Sequence, residues 1–272
     1  MMLISIILGM LIGLEGCCQA ADTHLREIDK GLWTGEYHAG AGGSGAPLRV
    51  VRIDPGIFEF RLLCSSELGT SRRPVREWRR EHGLTGAVNA GMYLTDYLTN
   101  VGYMKNGAYL NNARINPKYQ SVAAFSPVDQ TAPPFRIFDT DVTPAREIIA
   151  RYEIVIQNLR LIKRPGKNRW SMQEKRWSEA ALAEDGDGMA LLIFAGEPLS
   201  MYEFNEVLLG LPLGIVAAQH LEGGADASLS VVHGGFVLDL CGGVGTAGAV
   251  ASGSCRSVPN VLGFVRRPPS GE

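Results

Sequence analysis

The sequence carries almost no surplus of either charge: 26 Lys and Arg stand against 28 Asp and Glu, for a formal net charge of −2 over 272 residues. Without a basic excess the chain lacks the field that holds nucleic acid, so no nucleic-acid partner is expected. Long apolar runs are missing too. The longest, MMLISIILGMLIGL, ends at residue 14, short of the roughly 20 residues that cross a bilayer as a helix. There is no C-x-x-C or H-E-x-x-H spacing, hence no recognisable zinc site, and no G-x-S-x-G elbow of a serine hydrolase. The glycine cluster from Gly40 to Gly45 runs into Pro47 and a strand-like stretch instead of a helix. It reads as a connector, not a phosphate loop. Neither a repeat period nor a regular strand-helix-strand alternation is present.

What is present begins with export. The uncharged run to residue 14 and the small residues Gly16 to Ala21 read as a signal peptide over residues 1–20. Leu14-Glu15-Gly16-Cys17 resembles a lipobox, which would anchor the protein through a lipidated Cys17, and Cys18-Gln19-Ala20 an ordinary cleavage site. The protein is therefore expected in the periplasm, on a membrane as a lipoprotein, or outside the cell. Export permits disulfides. A Cys241–Cys255 bridge would close the glycine-rich loop between them and contribute about 3 kcal/mol in the chain-entropy model. Cys64 is left as a buried thiol.

The sequence holds 33 glycines, and from residue 47 onward it reads as many short strands rich in β-branched and aromatic residues with glycines between them. Pro47–Asp54 and Ile57–Leu63 read as a hairpin about Pro55-Gly56. Asn106-Gly107 marks a second hairpin turn. Two helices stand out: VREWRREHG after Pro74, and MYEFNEVLLGL, opened by the capping box Ser200-x-x-Glu203. The expected fold is α+β, a single domain over 31–266 with a mixed, mainly antiparallel twisted sheet and helices packed on it. Residues 267–272 form a tail.

Four polar patches interrupt apolar or glycine-rich surroundings: Asn89 and Gly91 at a strand end, Gln157-Asn158 with Arg160, Arg176 before the strand SEAALAE, and Glu222-Gly223-Gly224 followed by Asp226 and Ser228. In the last, period-two geometry places Ala218, His220 and Glu222 on one face, and the glycines let a ligand approach the carboxylate. Glu222 is either a turn acceptor or a catalytic group. His38, His82 and His233 read as structural or solvated, and Trp170 and Trp177 as packing residues that also suit sugar stacking.

The segments VNAGMY, TNVGYMKNGAYLNN, IVIQNLRLI, KRWSEAAL and HLEGGADASLSV, in this order, resemble the phosphodiester glycosidase family. The resemblance implies catalytic roles for Glu222 and Arg176, and substrate binding by Asn89, Gly91, Gly223, Gly224 and Ser228; by their chemistry Gln157 and Asn158, amides suited to sugar hydroxyls or phosphate, and Arg160, a planar fork suited to phosphate, are added to the substrate-binding set. No cofactor is implied and no metal ligands are singled out, though a cation held by Asp, Asn and carbonyl groups would leave little signature in the sequence. Glu222 stands where many members carry Asp, and Gln157-Asn158 where Ser-Gly is common, marks of a subfamily whose sugar need not be N-acetylglucosamine. The implied activity is hydrolysis of the sugar–phosphate bond in sugar-1-phosphodiesters of envelope or extracellular glycans. A phosphate monoester is a good leaving group, so one carboxylate and a phosphate-binding guanidinium can replace the usual pair of carboxyls. A non-catalytic carbohydrate-binding or polysaccharide-assembly role is the alternative, and Asp226 is the second carboxylate that an ordinary glycosidase would need.

Overall fold

The structure, a computed structural model, describes residues 25–38, 47–243 and 255–268. The signal segment with Cys17, the Gly40–Gly45 connector and the last four residues of the tail lie outside the described residues.

Three sheets form. The first has eight strands in the order β1 (Leu25–Asp29), β2 (Leu32–His38), β3 (Pro47–Ile53), β14 (Ala190–Leu199), β13 (Trp177–Asp185), β15 (Ile215–Gly223), β11 (Arg160–Lys163) and β12 (Lys167–Asn168). The second orders β7 (Tyr109–Asn112), β6 (Met104–Asn106), β10 (Tyr152–Asn158), β8 (Ser121–Pro127) and β9 (Phe135–Asp139). The third orders β17 (Phe236–Cys241), β16 (Ser228–His233), β5 (Gly86–Asn89), β18 (Asn260–Arg266) and β4 (Phe58–Cys64). Every pairing among these strands is antiparallel. The molecule is thus more sheet-rich than the α+β expectation of one sheet with helices on it. Strand β1 also begins ahead of residue 31.

Each sheet turns one face to a common core. β13 sends Ala180 and Leu182 there, β8 Ala123 and Phe125, and β4 Phe58, Phe60 and Leu62. Phe60, Phe125 and Phe135 meet at the centre with ring centroids 4.7 Å and 4.9 Å apart along the chain of contacts. The outer faces are covered in turn. Ala181 and Ala183 of β13 pack with Phe204 and Leu208 of helix α4 (Met201–Gly210). Val122 and Ala124 pack with Ile148 of α3 (Ala145–Arg151), and Ala87 and Val261 with Val75 and Trp78 of α2 (Val75–Glu81). With both faces buried, a strand such as EAALAE reads as an unbroken apolar run instead of an alternating one.

Helix α4 starts where its capping box predicts: the Glu203 amide donates to Ser200 Oγ at 3.2 Å and the Ser200 amide to Glu203 Oε2 at 3.0 Å. α1 (Ser65–Leu68) and α3 carry so few apolar contacts that no helical period registers in the sequence. The expected hairpin of Pro47–Asp54 with Ile57–Leu63 does not form. β3 belongs to the first sheet and β4 to the third, because the Asp54 carbonyl captures the amides of Ile57 and Phe58, and its carboxylate that of Gly56, turning the chain from one sheet into another. Cys241 and Cys255 are joined, with Cα atoms 5.4 Å apart, and Cys64 is free and buried, its thiol pushed up by burial.

Because Phe125 bridges aromatic residues from two sheets in a dry core, Phe125→Ala is expected to cost about 3–5 kcal/mol of stability, read from the midpoint of urea unfolding.

Candidate functional site

The site grows from the pairing of β13 with β15. Ala180 faces Glu222 and Ala181 faces His220, so Leu221 is an extra residue, a bulge. Leu221 enters the common core, and His220 and Glu222 both line an open cavity of about 410 Å³. Its walls are apolar: the indoles of Trp170 and Trp177 with Met92, Leu159 and Met201. Its polar end is Glu222, His220 and the Gly223-Gly224 backbone.

Both indoles are held by hydrogen bonds. Trp170 Nε1 donates to the Arg160 carbonyl at 2.7 Å, and Trp177 Nε1 to Glu179 Oε2 at 2.8 Å. Trp177 lies so close over Gly223 that a Cβ there would sit 2.6 Å from its Nε1, and Gly224 takes a left-handed φ of 63°, so each of the two glycines is required for its own reason.

Glu179 is 1% exposed and His220 3%, and Glu179 Oε1 meets His220 Nδ1 in a short contact. Burial pushes the Glu179 carboxyl up, opposed by His220 and Trp177. For His220, burial works downward, but the carboxylates of Glu179 and Glu222 outweigh it and raise the imidazole above its ordinary value. With Nδ1 taken up by Glu179, Nε2 is the ring atom left to meet a ligand. Next to it, burial pushes Glu222 up to about 7, with His220 and the Gly223 amide pulling down and Asp226 and Glu179 adding to the rise. Glu222 is a carboxyl poised to exchange a proton near neutral pH.

The other residues singled out in the sequence divide into three groups. Glu222, Gly223 and Gly224 line the cavity together. Asn89, Gly91, Asn158 and Ser228 form its buried support: Asn89 Oδ1 accepts from the Ser228 amide at 3.0 Å, Asn158 Nδ2 donates to the Leu221 carbonyl at 3.4 Å, and Gly91, at φ 149°, passes so near Asn158 and Asn100 that a side chain would clash with both. Gln157 and Arg160 are committed elsewhere. The Gln157 amide accepts from the Tyr103 and Asn116 amides and donates to the Asn116 and Tyr119 carbonyls at 2.7–3.1 Å. The Arg160 guanidinium binds Asp139, Asp141 and Gln120. These two side chains tie loops to strands instead of meeting a ligand in the cavity. Arg176 lies beside Trp177 but turns its guanidinium to Glu203 at the start of α4, and its side chain is half exposed.

Sequence reasoning missed Glu179 as the partner of His220. Its signal was an acid at the head of a strand buried on both faces, where a carboxyl needs a partner. Among the described residues no group of three or more His, Cys, Asp and Glu is placed to hold a metal ion.

The site is thus an apolar cavity walled by two indoles, with one carboxyl, one imidazole and a glycine backbone at its polar end, built on antiparallel sheets. The sequence profile of the phosphodiester glycosidase family matches residues 82–265, and the chain belongs to that family. No curated protein sequence matches it significantly. Among solved structures, a hypothetical protein from Synechocystis aligns with TM-score 0.63 at 15% identity, over 92% of this chain and 64% of its own, so this chain spans just under two thirds of that protein. The catalytic domain of zebrafish N-acetylglucosamine-1-phosphodiester alpha-N-acetylglucosaminidase, auto-inhibited by its pro-peptide, aligns with TM-score 0.61 at 13% identity, over 89% of this chain and 86% of its own. A putative exported protein of Burkholderia pseudomallei aligns with TM-score 0.51 at 12% identity, over 84% and 75%. At these identities the likeness is one of fold.

A carboxyl raised from 4.5 to about 7 binds its proton more tightly in the folded than in the unfolded chain. Stability therefore falls as pH rises between those values, by about 3 kcal/mol in total for this group. Glu222→Gln keeps the oxygen that accepts from Gly223 and removes the titration. It is expected to match the parent near pH 4 and to be the more stable protein at pH 8, by denaturant unfolding at both. Gly223→Ala is expected to dislodge Trp177, seen as a shift of its fluorescence and weaker binding of sugar ligands.

Proposed function

We propose that this protein hydrolyses the bond between a sugar and phosphate in sugar-1-phosphodiesters, and that it does so as an exported enzyme on envelope or extracellular glycans. Family membership and the fold support a hydrolase. The observation that carries the finer reading is Glu222, held near pH 7 at the mouth of a cavity walled by two indoles. The Cys241–Cys255 bridge suits an oxidising compartment.

In this reading the sugar stacks on Trp170 and Trp177 with its anomeric carbon toward Glu222. A carboxyl held near 7 suits a general base better than a nucleophile, which has to be ionised throughout. Glu222 takes a proton from water, the water oxygen bonds to C1, and the C1–O bond breaks with its electron pair leaving on the phosphate oxygen. The products are the free sugar and a phosphomonoester. The leaving phosphate needs no strong acid behind it. His220, whose protonated form Glu179 favours, presents Nε2–H to oxygen near the reacting centre and stabilises the charge that develops there.

Purified mature protein incubated with a panel of sugar-1-phosphodiesters is expected to release sugar and phosphomonoester together, followed by proton and phosphorus NMR. Its kcat/KM is expected to rise with pH to a plateau above about 7. Glu222→Gln is expected to lower turnover by about 10²- to 10⁴-fold. Tight binding without turnover by the parent would replace this reading with that of a carbohydrate-binding accessory protein. Full turnover by Glu222→Gln would remove Glu222 from the chemistry.

A further inference from the structure

A second cavity, of about 330 Å³, opens beside the indole-walled one and is lined by Arg72, Tyr93, Tyr97, Asp226, Arg256 and Ser257. The two share a partition. Met92 lines the first and its neighbour Tyr93 the second, and Gly223-Gly224 line the first and Asp226, two residues on, the second. Tyr93 sits in the field of both acids: burial, then Asp226 and Glu222, push its hydroxyl up to about 12. Glu222 therefore stands at the boundary between an apolar chamber and one bearing two guanidinium groups.

Those two cations are more available than the arginines singled out in the sequence. Arg72 stacks on the Tyr97 ring, 4.8 Å from its centroid, and forms no ion pair among the described residues. Arg256 has one loose pairing, 3.6 Å to Asp226, and its side chain is 58% exposed. By contrast Arg160 is enclosed by two carboxylates and Arg176 is bound to Glu203. The backbones that carry Arg72 and Arg256 are fixed against one another. Arg73 and Val258 form an isolated antiparallel bridge, with the Val258 amide donating to the Arg73 carbonyl at 3.0 Å, and Cys255, next to Arg256, is tied to the end of β17.

Resting on the hydrolase reading above, we propose that this second cavity is the phosphate subsite: Arg72 and Arg256 bind the non-bridging oxygens of the phosphodiester while the sugar fills the indole-walled chamber, so that the scissile bond spans the partition at Glu222. Asp226 sets the selectivity. Two guanidiniums and one carboxylate leave a net single positive charge, the complement of a phosphodiester monoanion. A phosphomonoester dianion meets the Asp226 carboxylate uncompensated. The subsite thus accepts diester substrate and releases monoester product.

The test uses two small probes at pH 8, dimethyl phosphate for the diester and methyl phosphate for the monoester, titrated into the full mature protein with phosphorus and proton NMR. The parent is expected to bind dimethyl phosphate the more tightly. Arg72→Gln and Arg256→Gln are each expected to weaken it about tenfold, the loss of one charge-assisted hydrogen bond, with Arg256→Lys restoring part of the affinity. Asp226→Asn is expected to tighten methyl phosphate. Unchanged affinity in both arginine variants, absence of binding by the parent, or loss on Arg176→Gln with the other two intact would each overturn the assignment. Phosphate binding that depends on Arg72 and Arg256 in a protein that cleaves no sugar phosphodiester would keep the subsite and discard the hydrolase. Cleavage with KM indifferent to both arginines would do the reverse.

Discussion

The structure around the site depends on one buried contact, that between Glu179 and His220. A carboxyl and an imidazole removed from water each incur a penalty of several kcal/mol unless they satisfy one another. Here they meet across adjacent strands, and the contact fixes much else. It requires β13 and β15 in one register, with Leu221 bulged so that His220 and Glu222 share a wall. It leaves Glu179 Oε2 to hold the indole of Trp177. It also places charge beside Glu222, a group already strained by burial, and so tunes the carboxyl that faces the cavity. Stability is spent on the site, and the three sheets around a common core supply it.

The sheets also explain why the site lies where it does. β13 and β15 occupy the interior of the eight-stranded sheet, covered by the common core on one face and by α4 on the other. Functional groups emerge only where the strands end. Glu222 and Gly223 close β15, Trp177 opens β13, Asn89 closes β5 and Ser228 opens β16. The Asn89–Ser228 hydrogen bond ties the ends of two neighbouring strands of the third sheet together. Chain ends of several strands thus converge on one cavity, while each strand's middle is committed to packing.

Much of this was legible in the sequence, and the limits are physical. The capping box of α4 is a local device whose two hydrogen bonds join residues only three apart, so it could be read directly. The Glu222-Gly223-Gly224 segment was legible because a carboxylate delivered onto two glycines is unusual in any strand. The fate of β3 and β4 was not, since a hairpin and a corner between sheets begin with the same turn residues and differ only in partners far along the chain. Gln157 and Arg160 ended a buried strand as ligand-binding residues would, yet their partners, Asn116 and Asp139, lie about 20 to 40 residues away in sequence. Arg72 and Arg256 carried no local signal, being exposed residues brought together through the Arg73–Val258 bridge.

The order of strands in the third sheet has a further consequence. β18, the last strand among the described residues, lies between β5 and β4, two of the earlier ones. Until it arrives, β4 and β5 cannot pair with each other, and both hold open edges of unpaired amides and carbonyls. The third sheet is therefore completed by contacts between residues far apart in the sequence, and long-range pairing of this kind is slow. A chain caught before that pairing exposes both edges at once, the places where one copy would add strands to another.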